Sequence, residues 1–174
     1  MRYEMKILNI NGPINSGKTT ISKLLQKKLP KSFFIEVDEL LSDDEQKKLS
    51  LSRKEGWAER LQRLDKIVVQ EKKLLRYEYI IFAYPMTEKV YHQWMLWEDN
   101  CTRFINITLA PNMCICLQNR GTRELSETEK ARIKQMYLEG YHCSKHANLI
   151  IDNSEQTPEE TAKEVLNYLD GIKK

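Results

Sequence analysis

The chain has 174 residues, with 28 Lys and Arg against 25 Asp and Glu and a hydrophobic fraction of 41%. That length fits one domain able to bury roughly 70% of its unfolded surface, so no staple is required to hold a core. The near balance of charge and the scatter of basic pairs (Lys27-Lys28, Lys47-Lys48, Lys72-Lys73) argue against a nucleic-acid-binding face. The opening MRYEMKILNI carries no apolar signal core, and the longest apolar run, YIIFAYPM, is far short of a membrane span. The expectation is a soluble cytoplasmic protein, monomer or homodimer, with four reduced cysteines.

A first strand is expected at MKILNI (5–10). Directly after it, GPINSGKT (12–19) matches G-x-x-x-x-G-K-[ST], with Gly12, Gly17, Lys18 and Thr19 at the fixed positions. An amphipathic helix carrying Ile21, Leu24 and Leu25 follows, which is the context a phosphate-binding P-loop requires. Its glycines let backbone N–H groups curl around phosphate oxygens, and the helix N-terminus adds partial positive charge. Pro13, Ile14, Asn15, Ser16 and Thr20 complete the cradle, Lys18 would bridge β- and γ-phosphates, and the Thr19 hydroxyl would hold Mg²⁺.

A second strand is expected at FFIEV (33–37), and its exit is acidic, with Glu36, Asp38 and Glu39. Residues two apart on a strand share a face, so Glu36 and Asp38 are expected to point together toward the phosphates while Val37 points back. Asp38 can serve as a general base or as the N-cap of the next helix. Ser42 with Glu45, Ser52 with Glu55, Ser126 with Glu129, and Thr157 with Glu160 fit the capping-box pattern, and Pro158 falls at a first helical position. The longest helix is expected over 56–77, with Trp57, Leu61, Leu64, Val68 and Leu75 on its apolar stripe and Arg60, Arg63, Gln70 and Lys73 opposite.

Further strands are expected at YIIFA (79–83), RFINITL (103–109) and NLIID (148–152). Continuous apolar strands alternating with helices predict an α/β fold, a five-stranded parallel sheet flanked by helices in a three-layer sandwich, as a single domain over 1–174. Tyr91, Trp94 and Trp97 read as packing for one helix against the sheet. Cys114-x-Cys116 and His142-Cys143-x-x-His146 read as ordinary residues rather than a zinc site, since i,i+2 positions on a helix do not face one another.

With no guanine-reading N-K-x-D and too little chain for a large motor, these pieces resemble the small P-loop kinases related to nucleoside monophosphate kinases. Within them, the chain is similar to shikimate-kinase-like and chloramphenicol-phosphotransferase-like proteins. Four stretches carry the resemblance: the P-loop, LPKSFFIEVDEL, CLQNRGTREL and IIDNSEQTPEE. The resemblance implies Asp38 as proton acceptor, a lid over about 118–127 bearing Arg120 and Arg123, and an adenine-side loop with Asn153 and Gln156. It implies an acceptor side over about 40–60, where Arg53, Lys54, Trp57 and Arg60 are candidates. One departure stands out: Tyr84-Pro85-Met86 occupies the place where many P-loop enzymes carry a Walker-B Asp, so either Glu36 stands in as the Mg²⁺ carboxylate or water alone completes the shell.

The expected activity is ATP- and Mg²⁺-dependent transfer of a γ-phosphate to a small-molecule hydroxyl, whether of a metabolite, a nucleoside or an antibiotic. The alternatives are a polynucleotide or nucleotide 5′-kinase, and an ATP-binding regulator without transferase activity.

Overall fold

The computed structural model describes residues 5–118 and 124–172. Five strands form one parallel sheet: β1 (Met5–Asn11), β2 (Ser32–Ile35), β3 (Tyr79–Ala83), β4 (Thr102–Leu109) and β5 (Leu149–Ile151). Their order is β2-β3-β1-β4-β5, so β1 lies at the centre between β3 and β4. Register pairs Leu8 of β1 with Ile81 on one side and Ile105 on the other. Every residue of β1 is buried, which explains its apolar sequence: both of its faces are covered.

Side chains alternate between two cores. Leu8 and Ile10 face a cluster built with Ile21 and Leu25 of α1 (Lys18–Lys28) and Ala162, Val165 and Leu169 of α7 (Pro158–Gly171). Met5 and Ile7 face the opposite cluster, with Leu64 and Val68 of α3 (Arg53–Leu74) and Val90 and Trp94 of α4 (Glu88–Met95). Burying each aliphatic side chain contributes about 1.5–3 kcal/mol, enough to fix which face of each helix turns inward. Phe82, Trp94, Trp97 and Phe104 form an aromatic group in this second core, with ring centroids of Phe82 and Trp94 5.0 Å apart. Also described are the short helices α2 (Asp43–Lys48) and α5 (Met113–Cys116) and the longer α6 (Glu127–Leu138).

Local signals set the helix starts. Ser52–Glu55, Ser126–Glu129 and Thr157–Glu160 form full capping boxes, and Ser42 caps α2 by accepting a hydrogen bond from the Glu45 N–H. The Ser52 box starts α3 at Arg53, three residues before the expected start. Its stripe is also corrected. Arg60 is buried on the inward face, while Leu75, the left-handed C-cap residue, is 54% exposed. β2 ends at Ile35 rather than Val37, and Val37–Leu40 winds into a 3-10 turn.

Four asparagines cross-link the carboxyl ends of the central strands. Asn9 donates to the Tyr84 carbonyl (3.1 Å) and to Asn106 Oδ1 (3.0 Å), and its own Oδ1 accepts from the Tyr84 N–H (3.1 Å). Asn11 accepts from the Met86 N–H (2.9 Å) and donates to Thr108 Oγ1 (2.9 Å). Asn106 donates to the His146 carbonyl, and its N–H reaches Asn148 Oδ1. Buried amides of this kind satisfy backbone groups that have left the sheet ladder.

Candidate active site

Where β1 ends, the chain turns through Gly12–Gly17 into α1. Gly12 has φ +140°, and a Cβ there would lie 2.6 Å from the Leu109 carbonyl oxygen and 2.8 Å from Ser16 Oγ. No side chain fits, so the sequence requires glycine. Gly17, with φ +96°, opens α1, so the first N–H groups of that helix face the loop. Asn15 is also left-handed (φ 64°) and donates to the carbonyls of Cys116 and Gln118, each at 2.9 Å. The loop is thereby tied to the end of α5 and to the residue two beyond it. Ile14 packs on the same side, against a small core of Cys116, Leu125 and Ile133.

Lys18 folds back over the loop and donates to the Pro13 carbonyl at 2.6 Å. Burial lowers its pKa from 10.5 to about 8, opposed by the nearby Cys116 and Asp38. Ser16 Oγ and Asn153 Oδ1 are buried without hydrogen-bond partners, although Asn153 Nδ2 donates to the Ser16 carbonyl at 3.0 Å. On that side a cavity of about 290 Å³ is lined by Asn15, Gly17, Thr20, Asn153, Gln156 and Pro158. Gln156 is positioned by Thr161 and Glu164 of α7. The structure thus brings Asn153 and Gln156 together with the P-loop around one hollow.

Asp38 lies in the 3-10 turn after β2, exposed, and α2 takes Ser42 as its N-cap, so Asp38 has no capping role there. The expectation that Glu36 and Asp38 share a strand face fails, because the strand ends before either of them. Glu36 instead pairs with Lys23 of α1 (3.6 Å), and burial raises its pKa against the pull of that lysine. The turn is anchored from α3. Arg60 donates to the carbonyls of Asp38 (3.3 Å) and Leu41 (2.7 Å) and to Gln46 Oε1, and it stacks over Trp57. Arg63 reaches the Leu40 carbonyl and Glu45. Trp57 meets Tyr84 edge-on at 6.0 Å, and Arg53 stands exposed at the first turn of α3. Arg120 and Arg123 lie outside the described residues.

Tyr84 was missed in the sequence as a site residue. It follows β3 directly, and its pKa is raised by burial, then by Tyr141 and Asp38. Next to it, beyond β3, a second cavity of about 480 Å³ is lined by Met86, Glu88, Glu139, Tyr141, Lys145 and His146 among others. Nothing in the spacing of these residues announces a pocket, because two segments some fifty residues apart, 86–88 and 139–146, contribute to it.

A parallel sheet of this order, a P-loop at the central strand and a hollow beyond the strand ends define a P-loop α/β protein of the kinase type. The family model for shikimate kinase matches residues 14–170, and the chain belongs to the shikimate kinase family. No curated protein sequence matches at a significant level. Among solved structures, a gluconokinase from Sinorhizobium meliloti aligns with a TM-score of 0.67 at 16% identity, covering 99% of this chain and 95% of that one. A shikimate kinase from Aquifex aeolicus gives 0.57 at 22% identity over 97% and 98%. The tunicamycin resistance protein of Deinococcus radiodurans gives 0.60 at 18% identity over 95% of each chain. These likenesses share the fold, and the family assignment makes the protein a P-loop kinase that acts on a small molecule.

Proposed function

We propose that the protein transfers the γ-phosphoryl group of ATP to a hydroxyl of a small molecule held above Asp38. The observation that supports this reading is the P-loop itself, with Lys18 drawn over it onto the Pro13 carbonyl, and the charge of Asp38 acts on both Lys18 and Tyr84. In the reading, backbone N–H groups of Gly12–Thr20 and the Lys18 ammonium hold the phosphates, and Asn153 and Gln156 flank the adenine. The acceptor hydroxyl oxygen bonds to the γ-phosphorus as the bond to the bridging oxygen of ADP breaks. The proton passes to Asp38. Arg120 and Arg123 would close over the developing charge.

The Thr19 hydroxyl would hold Mg²⁺, and Glu36 would add a carboxylate oxygen only on leaving Lys23, with which it is paired. Mg²⁺, when bound, neutralises charge across the β- and γ-phosphates. Trp57 borders the acceptor space through Tyr84. Arg60 shapes it indirectly, since its guanidinium is committed to the carbonyls of the 3-10 turn. Arg53 would meet an acceptor at the outer rim.

The test follows transfer from γ-labelled ATP to a panel of small polyhydroxy compounds. Asp38→Asn should lower kcat by about 10²- to 10⁴-fold with nucleotide binding kept, and Lys18→Met should abolish transfer. An Asp38→Asn protein with unchanged kcat would remove Asp38 as the base. Tight ATP binding without transfer to any compound would favour a regulator.

A further inference from the structure

Glu88, His92 and His146 form a cluster away from the P-loop. Glu88 and His92 are four apart on α4, so both project from one face of the helix. His146 arrives from the segment between α6 and β5. Its ring stacks on Tyr91 with centroids 4.0 Å apart and planes 13° apart, which fixes its direction. Its Nε2 is buried without a hydrogen-bond partner and lies 3.8 Å from Glu88 Oε1, while His92 Nε2 lies 3.9 Å from the same oxygen. The three ligand atoms lie within 4.8 Å of one another. Lys145 Nζ is 2.7 Å from Glu88 Oε1 and balances the carboxylate's charge.

We propose that Glu88, His92 and His146 bind a borderline divalent transition-metal ion, with Zn²⁺ as the type. Two imidazoles and a carboxylate are the donor set that such ions favour over Mg²⁺. Bonds of about 2.0–2.2 Å place tetrahedral ligand atoms about 3.4 Å apart, so each imidazole needs to close on Glu88 by only about half an ångström from 3.8 and 3.9 Å. The exposed Lys145 ammonium swings out as the ion takes over its electrostatic role. Three protein ligands leave one position open. Glu88 and His146 both line the 480 Å³ cavity, so that position faces the hollow. The ion ties α4 to the segment before β5 across the cavity mouth. The site is independent of the kinase reading, because none of its ligands belongs to the P-loop or to the turn bearing Asp38.

The experiment titrates Zn²⁺ into the chelator-stripped full chain by calorimetry, with excess Mg²⁺ present. One ion per chain is expected, with a rise in Tm. His92→Ala should weaken binding at least about tenfold, and because His92 is exposed on α4 this variant tests the site without disturbing the core. Lys145→Ala should tighten binding by removing the competing cation, an effect that a simple ion-pair network would not produce. Co²⁺ in place of Zn²⁺ should show visible bands without thiolate charge transfer, and changing the exposed Cys101, Cys114 and Cys143 to Ser should leave affinity unchanged. Wild-type affinity in His92→Ala, loss of binding in the Ser variants, or displacement by Mg²⁺ would each overturn the proposal.

Discussion

Lys18 should make nucleotide binding take up protons. In the free protein its ammonium is held at a pKa of about 8 by burial, against an ordinary 10.5. The difference of 10.5 − 8 = 2.5 corresponds to about 3 kcal/mol of unfavourable free energy at neutral pH, at 1.36 kcal/mol per unit. Phosphates in the cradle supply counter-charge and return the pKa toward or above its ordinary value. Binding should then take up about half a proton at pH 8, about 0.9 at pH 9 and about 0.1 at pH 7. The sign for stability follows from the depressed pKa. Below pH 8 both folded and unfolded chains carry the proton and the cost is complete. Between about 8 and 10.5 the unfolded chain binds more protons, so this contribution improves as pH rises. The assay is calorimetric titration with a non-hydrolysable ATP analogue in buffers of differing ionisation enthalpy, wild type against Lys18→Met. Equal proton uptake by both proteins, or uptake that is largest at pH 7, would refute the reasoning.

Gly12→Ala should destabilise the fold by about 3 kcal/mol in urea denaturation, since φ +140° and the Leu109 carbonyl 2.6 Å from the new Cβ oppose any side chain. Asn15→Ala should cost about 2 kcal/mol, from two lost hydrogen bonds and a left-handed backbone, and should weaken nucleotide binding. Asn15→Gly relieves the backbone but not the bonds, so full recovery in that variant would dismiss the tie to α5. Trp94→Ala should cost about 3–5 kcal/mol, because the ring is fully buried between Phe82 and Phe104 and its loss leaves a cavity; a change below 1 kcal/mol by the same measurement would contradict that packing.

The P-loop was legible because its chemistry demands particular residues at fixed spacing within one local segment. The capping boxes were legible for the same reason, and the central strands because burial on both faces leaves an unbroken apolar run. Arg60 was not. Periodicity assigns an arginine to the wet side, yet its partners are carbonyls at Asp38 and Leu41, exposed by a 3-10 turn whose sequence looks like the end of a strand. The relation of Glu36 to Asp38 failed at the same turn, since the rule for strand faces holds only while the strand lasts. His146 read as ordinary because its companions Glu88 and His92 lie more than fifty positions earlier, and only the crossover to β5 brings them together.

The asparagine ladder has a consequence for chemical ageing. Asn9 uses both ends of its amide on Tyr84, giving hydrogens to the carbonyl and receiving one from the N–H, so the group has a single workable orientation. Deamidation would change one atom and keep the shape. It would also set a carboxylate oxygen against the Tyr84 carbonyl with no hydrogen between them. The segment Tyr84–Met86, which stands where a metal-binding acid is usual, would then lose the brace that fixes its position. An Asn9→Asp chain should therefore lose the placement of the Tyr84 backbone before it loses the P-loop.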